Sequence, residues 1–186
     1  MLHLLHLEPG CQDDLVDKLL MQLVSEREFA SFQAPEHCVI TYLFREGESG
    51  REVLLIERKK GRGVGKISAP GGHIEKGETA LDAAVREFRE EVGVTVKEPC
   101  LVGKMEFLFR DDSNLLGYVY FASCFEGQLA ESDEARPFWC PVKDLPYERM
   151  WNDDIFWLPC ALAGRTFRIR SIYKEDKQLT CRLDFA

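Results

Sequence analysis

Apolar residues recur along this chain with two periods. Between residues 79 and 93 the period is helical, and Leu81, Ala84, Val85, Phe88 and Val92 share one face at about 100° per residue. Thr79 stands three residues before Asp82 in a capping-box-like start, and Gly93 follows the last apolar position. The pattern predicts a helix from Thr79 to Val92 with that face packed inward. Residues 11–32 repeat the helical period through Leu15, Val16, Leu19, Leu20, Leu23 and Val24, with Asp13, Asp14, Asp17, Lys18 and Glu26 elsewhere and Pro35 marking the end. This is an amphipathic helix that either packs on the domain or makes an oligomer contact. Shorter runs of β-forming residues predict strands at Cys38–Phe44, Val53–Glu57, Leu101–Phe109, Leu116–Phe125 and Pro137–Val142. The turn cluster Gly47-Glu48-Ser49-Gly50 joins the first two as a hairpin. Asp144–Met150 reads as a short helical turn and Ile155–Ala163 as a helix interrupted near Pro159. Thr166–Tyr173 and Leu179–Phe185 form a closing hairpin.

With 186 residues and 45% apolar content, the chain suits one domain with a real core. No repeat, low-complexity tract or interdomain linker interrupts it. The net charge of -8 argues against a binder of nucleic-acid polymers or of an anionic membrane surface. A small polyanion remains compatible, because a bound metal inverts the local field. No apolar run is long enough to span a membrane, and MLHLLHLEPG lacks the basic region of a signal peptide. Seven cysteines, scattered and never in a C-x-x-C pair, favour reduced thiols and a cytoplasmic location. The four histidines form no ligand spacing.

Several groups carry candidate chemistry. Relative to Leu81, Glu87, Glu90 and Glu91 fall at about 240°, 180° and 280°, on another side of the helix. Taken alone they are either a solvated acidic face, where like charges cost only about 0.2–0.5 kcal/mol per pair, or oxygen ligands for a hard divalent cation. The loop Arg58–Lys66, RKKGRGVGK, is basic and glycine-rich, but its glycine spacing fails the P-loop pattern and Ile67 follows Lys66. It is either solvated or a phosphate holder through its cations and N–H groups. Phe107 and Phe109 alternate onto one sheet face, as core or as the floor of a pocket. Asn152, Asp153 and Asp154 read as caps and first-turn charge.

The spacing Gly72-x5-Glu78-x7-Arg86-Glu87-Phe88-x-Glu90-Glu91-x-Gly93-Val94 resembles the signature of the Nudix hydrolases, which cleave nucleoside diphosphates linked to a further group. Seven such identities arise by chance about once in 10⁹ placements. Phe88 departs from the usual branched aliphatic residue but stays apolar. From Cys38 to Phe185 the chain is similar to the oxidised purine nucleoside triphosphatases of that family, the 8-oxo-dGTP diphosphatases of mammals. The shared parts are the basic loop, the Phe-x-Phe strand, Glu131-Ser132-Asp133-Glu134 with Arg136-Pro137, Met150-Trp151-x-Asp153-Asp154 and the final hairpin.

The resemblance implies an α/β fold, an α/β/α sandwich with a mixed central sheet. A helical extension over residues 1–37 would precede a hydrolase domain over 38–186. It further implies Mg²⁺, with Mn²⁺ as the alternative, held by Gly72, Glu87, Glu90, Glu91 and Glu134. Glu87 or Glu134 would orient or deprotonate the attacking water. Arg86 would position Glu78 or Glu91, with Glu78 and Gly93 completing the box. Lys59, Lys66, Ser68, Phe107, Phe109 and Trp151 would bind substrate, Trp151 by stacking on the purine. Asp153 and Asp154 would read the base edge, one of them holding a proton. The expected substrate is a nucleoside triphosphate, an oxidised purine nucleotide such as 8-oxo-dGTP, cleaved to monophosphate and pyrophosphate by a monomer or homodimer in nucleotide-pool cleansing. The alternatives are a dinucleotide, a nucleotide sugar or an ordinary dNTP. A non-catalytic nucleotide-binding regulator need not keep the intact glutamate set. Two positions depart from the mammalian pattern: Ser68 stands for an asparagine that bonds the base, and Arg62 for a pocket phenylalanine.

Overall fold

The structure, a computed structural model, describes residues 27–30, 32–48, 50–110, 113–175 and 177–185. The elements run β1 (Glu36–Gly47), β2 (Gly50–Arg58), β3 (Ile67–Ser68), α1 (Ala80–Val92), β4 (Val94–Lys97), β5 (Cys100–Phe109), β6 (Leu115–Ala122), β7 (Cys124–Gly127), β8 (Ala135–Pro141), α2 (Asp154–Leu162), β9 (Phe167–Lys174) and β10 (Lys177–Phe185). The main sheet has the order β10-β9-β5-β6-β1-β2-β3, and β8 also pairs with β2. β1 with β6 and β5 with β9 are parallel, while the other pairs are antiparallel, so the sheet is mixed.

Strand alternation sends neighbouring residues to opposite faces. On one face Val39, Leu43, Leu54 and Ile56 meet Ala83, Ala84, Phe88 and Val92 of α1. On the other, Tyr42, Phe44, Leu55, Met105 and Ile169 meet Trp157, Leu158 and Ala161 of α2. The Trp157 ring stacks on Phe167 at 4.7 Å and meets Tyr42 edge-on at 5.7 Å. The three layers are those expected, a helix on each side of a mixed sheet.

α1 starts and stops where the sequence places it. Thr79 accepts a hydrogen bond from the Asp82 N–H at 3.1 Å, and Gly93, with φ of 75°, closes the helix through its N–H to the Arg89 carbonyl at 2.9 Å. Its buried face differs from the prediction. Leu81 is 46% exposed, whereas Ala83 and Glu91 are buried with Ala84, Phe88 and Val92. Glu91 can lie inside because a backbone N–H and a guanidinium meet its carboxylate there.

Three other elements differ. The expected strand Leu116–Phe125 is two strands: β6 stays in the main sheet, while β7 pairs with β4 in a separate ribbon, Val94 opposite Gly127. Asp144–Met150 is not one helical turn. The 3₁₀ turns Val142–Asp144 and Tyr147–Arg149 flank Leu145 and Pro146, where the proline ring and its missing N–H interrupt the helix. α2 runs through Pro159 without interruption, because burial of Trp157, Leu158 and Ala161 outweighs one lost backbone bond. The helix read over residues 11–32 lies outside the described residues except at its end. There residues 27–29 are helical, and Glu28 pairs with Arg110 at 2.6 Å.

Candidate active site

The turn Pro70–Gly72 crosses from β3 to the approach to α1 and is pinned to β1. Thr41 N–H donates to the Pro70 carbonyl and Val39 N–H to the Gly72 carbonyl, both at 2.9 Å. A β-carbon on Gly71 would collide with the Val39 carbonyl oxygen, and one on Gly72 would lie 2.5 Å from the Glu87 carboxyl carbon. Glycine at both positions lets the turn lie on β1 and lets Glu87 lie on the turn.

Arg86 organises the carboxylates. It holds Glu78 through two bonds, Nε to Oε1 at 2.9 Å and Nη2 to Oε2 at 2.8 Å, and also donates to the His73 carbonyl at 2.9 Å. Its Nη1 reaches Glu87 at 2.8 Å and Glu90 at 3.1 Å. The guanidinium bonds keep the Glu78 carboxyl below its ordinary pKa. Of the two expected partners Arg86 takes Glu78 and not Glu91. Glu91, 4% exposed, instead accepts from Gly71 N–H at 2.9 Å and stands 3.6 Å from Arg58 Nη1. Burial lifts its pKa to about 7. The Arg58 charge and the Gly71 N–H oppose that rise, and the Glu87 and Glu134 charges add to it. Glu134 is tied to the same end of β2: its carbonyl accepts from Lys59 N–H, and Ala135 lies opposite Arg58.

Among the described residues, no three His, Cys, Asp or Glu side chains stand gathered around one point. Glu87 and Glu90 are drawn to Arg86, and Glu91 to Gly71 and Arg58. The donor set still fits a hard divalent cation: all the side-chain donors are carboxylate oxygens, and two of them already share one cationic nitrogen. An open groove of about 710 Å³ reaches this place, lined by Glu78, Asp82, Val85, Arg86, Arg89, Glu90 and Thr95.

The α2 side of the sheet holds the second group. Asp153 and Asp154 are 1% and 5% exposed. Asp153 accepts from the Tyr173 hydroxyl at 2.9 Å and from Ser171 Oγ at 3.1 Å. Asp154 accepts from the Trp151 N–H and the Trp157 indole N–H, both at 3.1 Å. Burial raises both carboxyls, and the Asp153 charge adds to the rise at Asp154. Every partner of Asp154 can only donate, whereas Ser171 can also accept a proton's hydrogen bond. Phe109 stacks on Tyr173 at 5.5 Å, and Phe107 and Trp151 meet Tyr173 edge-on at 6.1 and 5.9 Å. Phe107 and Phe109 are thus one aromatic wall with Tyr173, next to the aspartates. The Lys66 ammonium lies 4.9 Å over the Trp151 ring and 3.5 Å from the Met150 carbonyl. Arg62 caps the wall, its guanidinium 4.0 Å over Phe109 and bonded to Ser113 Oγ at 2.9 Å.

One expected base contact lies apart from the aromatic wall. Ser68 pairs opposite Ile56 and so faces α1, where its hydroxyl accepts from Arg58 Nε at 3.2 Å and donates to the Ala69 carbonyl at 3.1 Å. Lys59, near the start of the basic loop, donates to Glu131 Oε1 and to the Ser132 carbonyl. Arg58, Ser171 and Tyr173 were not singled out from the sequence. Arg58 reads as one more cation of a basic loop. Ser171 and Tyr173 share a strand face by period two, but only the parallel register Phe107↔Ser171 and Phe109↔Tyr173 brings them to the site.

With a glutamate helix entered through a glycine turn on one face of a mixed sheet, the molecule has the architecture of a hydrolase. It belongs to the Nudix family, whose NUDIX domain model matches residues 36–159. It is 40% identical over 116 residues to the oxidized purine nucleoside triphosphate hydrolase of Danio rerio, covering 62% of this chain and 74% of that protein. It is 35% identical over 118 residues to that of Mus musculus, covering 63% and 76%. The crystal structure of the MutT protein from Bacillus halodurans matches with a TM-score of 0.70 at 26% identity, over 80% of this chain and 97% of that one. Nudix hydrolases generally use divalent metals and bind nucleotide substrates.

Proposed function

We propose that this Nudix hydrolase cleaves purine nucleoside triphosphates, oxidised ones such as 8-oxo-dGTP above all, to monophosphate and pyrophosphate. The observation that carries the reading is the buried Asp153–Asp154 pair set beside Trp151 and the Phe107–Phe109–Tyr173 wall. The basic loop links the two groups: Arg58 at its start lies beside Glu91, and Lys66 at its end lies over Trp151. A nucleotide can span them, with its base against the aromatic wall and its phosphates at the glutamates. A carboxyl pair of which one member keeps its proton offers both a donor and an acceptor to a purine edge, which suits a base whose tautomer changes on oxidation.

Glu87, Glu90, Glu91 and Glu134, with the Gly72 carbonyl, would hold Mg²⁺, or Mn²⁺ in its place. Once bound, the metal neutralises phosphate oxygens and favours water as a nucleophile. Glu87 or Glu134 orients the water and accepts its proton. Arg86 holds Glu78, Glu87 and Glu90 in place, and Trp151 stacks on the base. Pyrophosphate release measured over a panel of oxidised and ordinary nucleoside triphosphates, a dinucleotide and a nucleotide sugar with Mg²⁺ tests the reading. It predicts the highest kcat/KM for an oxidised purine triphosphate, and a preference for a dinucleotide or nucleotide sugar would refute it.

One observation favours a second reading, that of a different preferred base. Arg62 sits over Phe109 where relatives of the mammalian type have an aromatic group, and Ser68 is turned away from the wall. The same panel separates the two readings.

A further inference from the structure

Lys59 opens the loop that reads as a phosphate holder, yet its polar atoms point to a different task. Its backbone N–H donates to the Glu134 carbonyl at 2.8 Å. Its ammonium donates to Glu131 Oε1 at 3.0 Å and to the Ser132 carbonyl at 2.6 Å. Lys60 adds a longer contact to Asp133 at 3.7 Å. The turn these groups hold is also closed from within. Ser132 Oγ accepts from the N–H groups of Glu134 and Ala135 at 3.2 and 3.1 Å, and Ser132 N–H donates to the Ala135 carbonyl at 3.0 Å. Ala135 is fully buried and opposite Arg58 in the β2–β8 ladder, so the turn is fixed at its far end as well. Asp133 and Glu134 are the two acidic residues between these anchors, and Asp133 is turned to Lys60.

We propose that Lys59 is a positioning residue for Glu134, clamping the turn Glu131–Glu134 so that the Glu134 carboxylate stands at the edge of the Glu87–Glu91 cluster. Two of the three ammonium protons are committed to Glu131 and Ser132, which leaves one for any other partner. Glu131 belongs to the same device, because its negative charge repels a polyphosphate and cannot serve by binding one. The inference rests on the proposed action of Glu134 in hydrolysis.

The test uses the full chain with Mg²⁺ and 8-oxo-dGTP, with dGTP in parallel. The variants are Lys59→Met, Lys59→Arg, Glu131→Gln, their combination Lys59→Met/Glu131→Gln, and Glu134→Gln. Both partners are partly exposed, so each variant is expected to melt close to the parent. A displaced catalytic group lowers turnover, so Lys59→Met and Glu131→Gln should each reduce kcat by about ten- to a hundredfold with KM nearly unchanged. The double variant should be no worse than either single one, and Lys59→Arg should recover most of the rate. If Lys59→Met raises KM at constant kcat while Glu131→Gln lowers KM by freeing the ammonium, Lys59 is a phosphate ligand and the proposal is overturned. Full turnover in Glu134→Gln overturns it together with the assignment of Glu134 beneath it. An impaired Glu134→Gln beside unimpaired Lys59→Met and Glu131→Gln overturns the clamp alone.

Discussion

The Arg58 guanidinium stands 3.6 Å from the buried carboxylate of Glu91. Arg58 also donates to Ser68 Oγ at 3.2 Å and to the Gly71 carbonyl at 2.8 Å, so one side chain ties β2, β3 and the glycine turn to the helix. Burial raises the Glu91 pKa to about 7, and Arg58 works against that rise. A carboxyl must lose its proton to hold a cation, so protons compete with metal below that value. The Mg²⁺ needed for half-maximal activity should therefore rise as the pH falls from about 8 to about 6. Arg58→Met removes the opposing charge and should move this acid limb to higher pH, which Mg²⁺ titrations of pyrophosphate release at several pH values would reveal.

Glu87 lies against Gly72 and is held by Arg86. Glu87→Gln keeps the shape and removes the charge, so the rate should fall by at least about 10²-fold. Its partly exposed position predicts only a small change in Tm. Turnover at the parental rate would refute the role given to this residue.

For Asp153 and Asp154 the sign of the pH effect is fixed by burial. Both folded-state pKa values are raised, so the protonated form is favoured in the fold. The contribution to stability is complete below the unfolded pKa of 3.8 and is lost as the pH rises through the folded values. Asp154→Asn leaves an amide facing two N–H donors and starts at a disadvantage. That deficit should shrink as the pH rises from about 4 to about 7, by about 1.4 kcal/mol per unit of pKa shift. Urea unfolding of the parent and Asp154→Asn across this range measures it. Asp153→Asn should in addition change the preference among purine nucleotides.

At the rim, Arg62 presents guanidinium donors above Phe109. Donors favour a carbonyl on the base and disfavour an amino group. Arg62→Ala should lower kcat/KM for 8-oxo-dGTP about tenfold more than for dATP, a difference of about 1.4 kcal/mol. Its exposed cation–π contact contributes only about 0.5–1 kcal/mol to stability. Equal losses on both nucleotides would show that Arg62 does not discriminate between them.

Much of α1 was legible because its signals are local. Thr79, Asp82 and Gly93 act within a few residues of the ends they fix, and the glutamate spacing is readable without a fold. The burial of Glu91 was not legible, since periodicity treats a glutamate as solvent-seeking and its partners come from Arg58 and Gly71. Lys59 meets Glu131 across 72 positions of sequence, so its loop read as solvated or phosphate-holding and not as paired with an acidic turn. Phe107 and Phe109 were ambiguous for the same reason. Their neighbour Tyr173 arrives through a parallel register that no short window contains. The end of β6 was missed because continuous β-forming residues conceal a change of partner at Ser123.

The glycine turn has no compliant layer beneath it. Gly71 is pressed to the backbone of β1, and Gly72 bears directly on Glu87. Loosening the reaction centre thus means loosening the inner strand of the sheet, with no softer step in between. Loss of activity on heating should coincide with loss of the fold, rather than begin several degrees earlier as it does in enzymes whose reactive groups ride on a detachable loop.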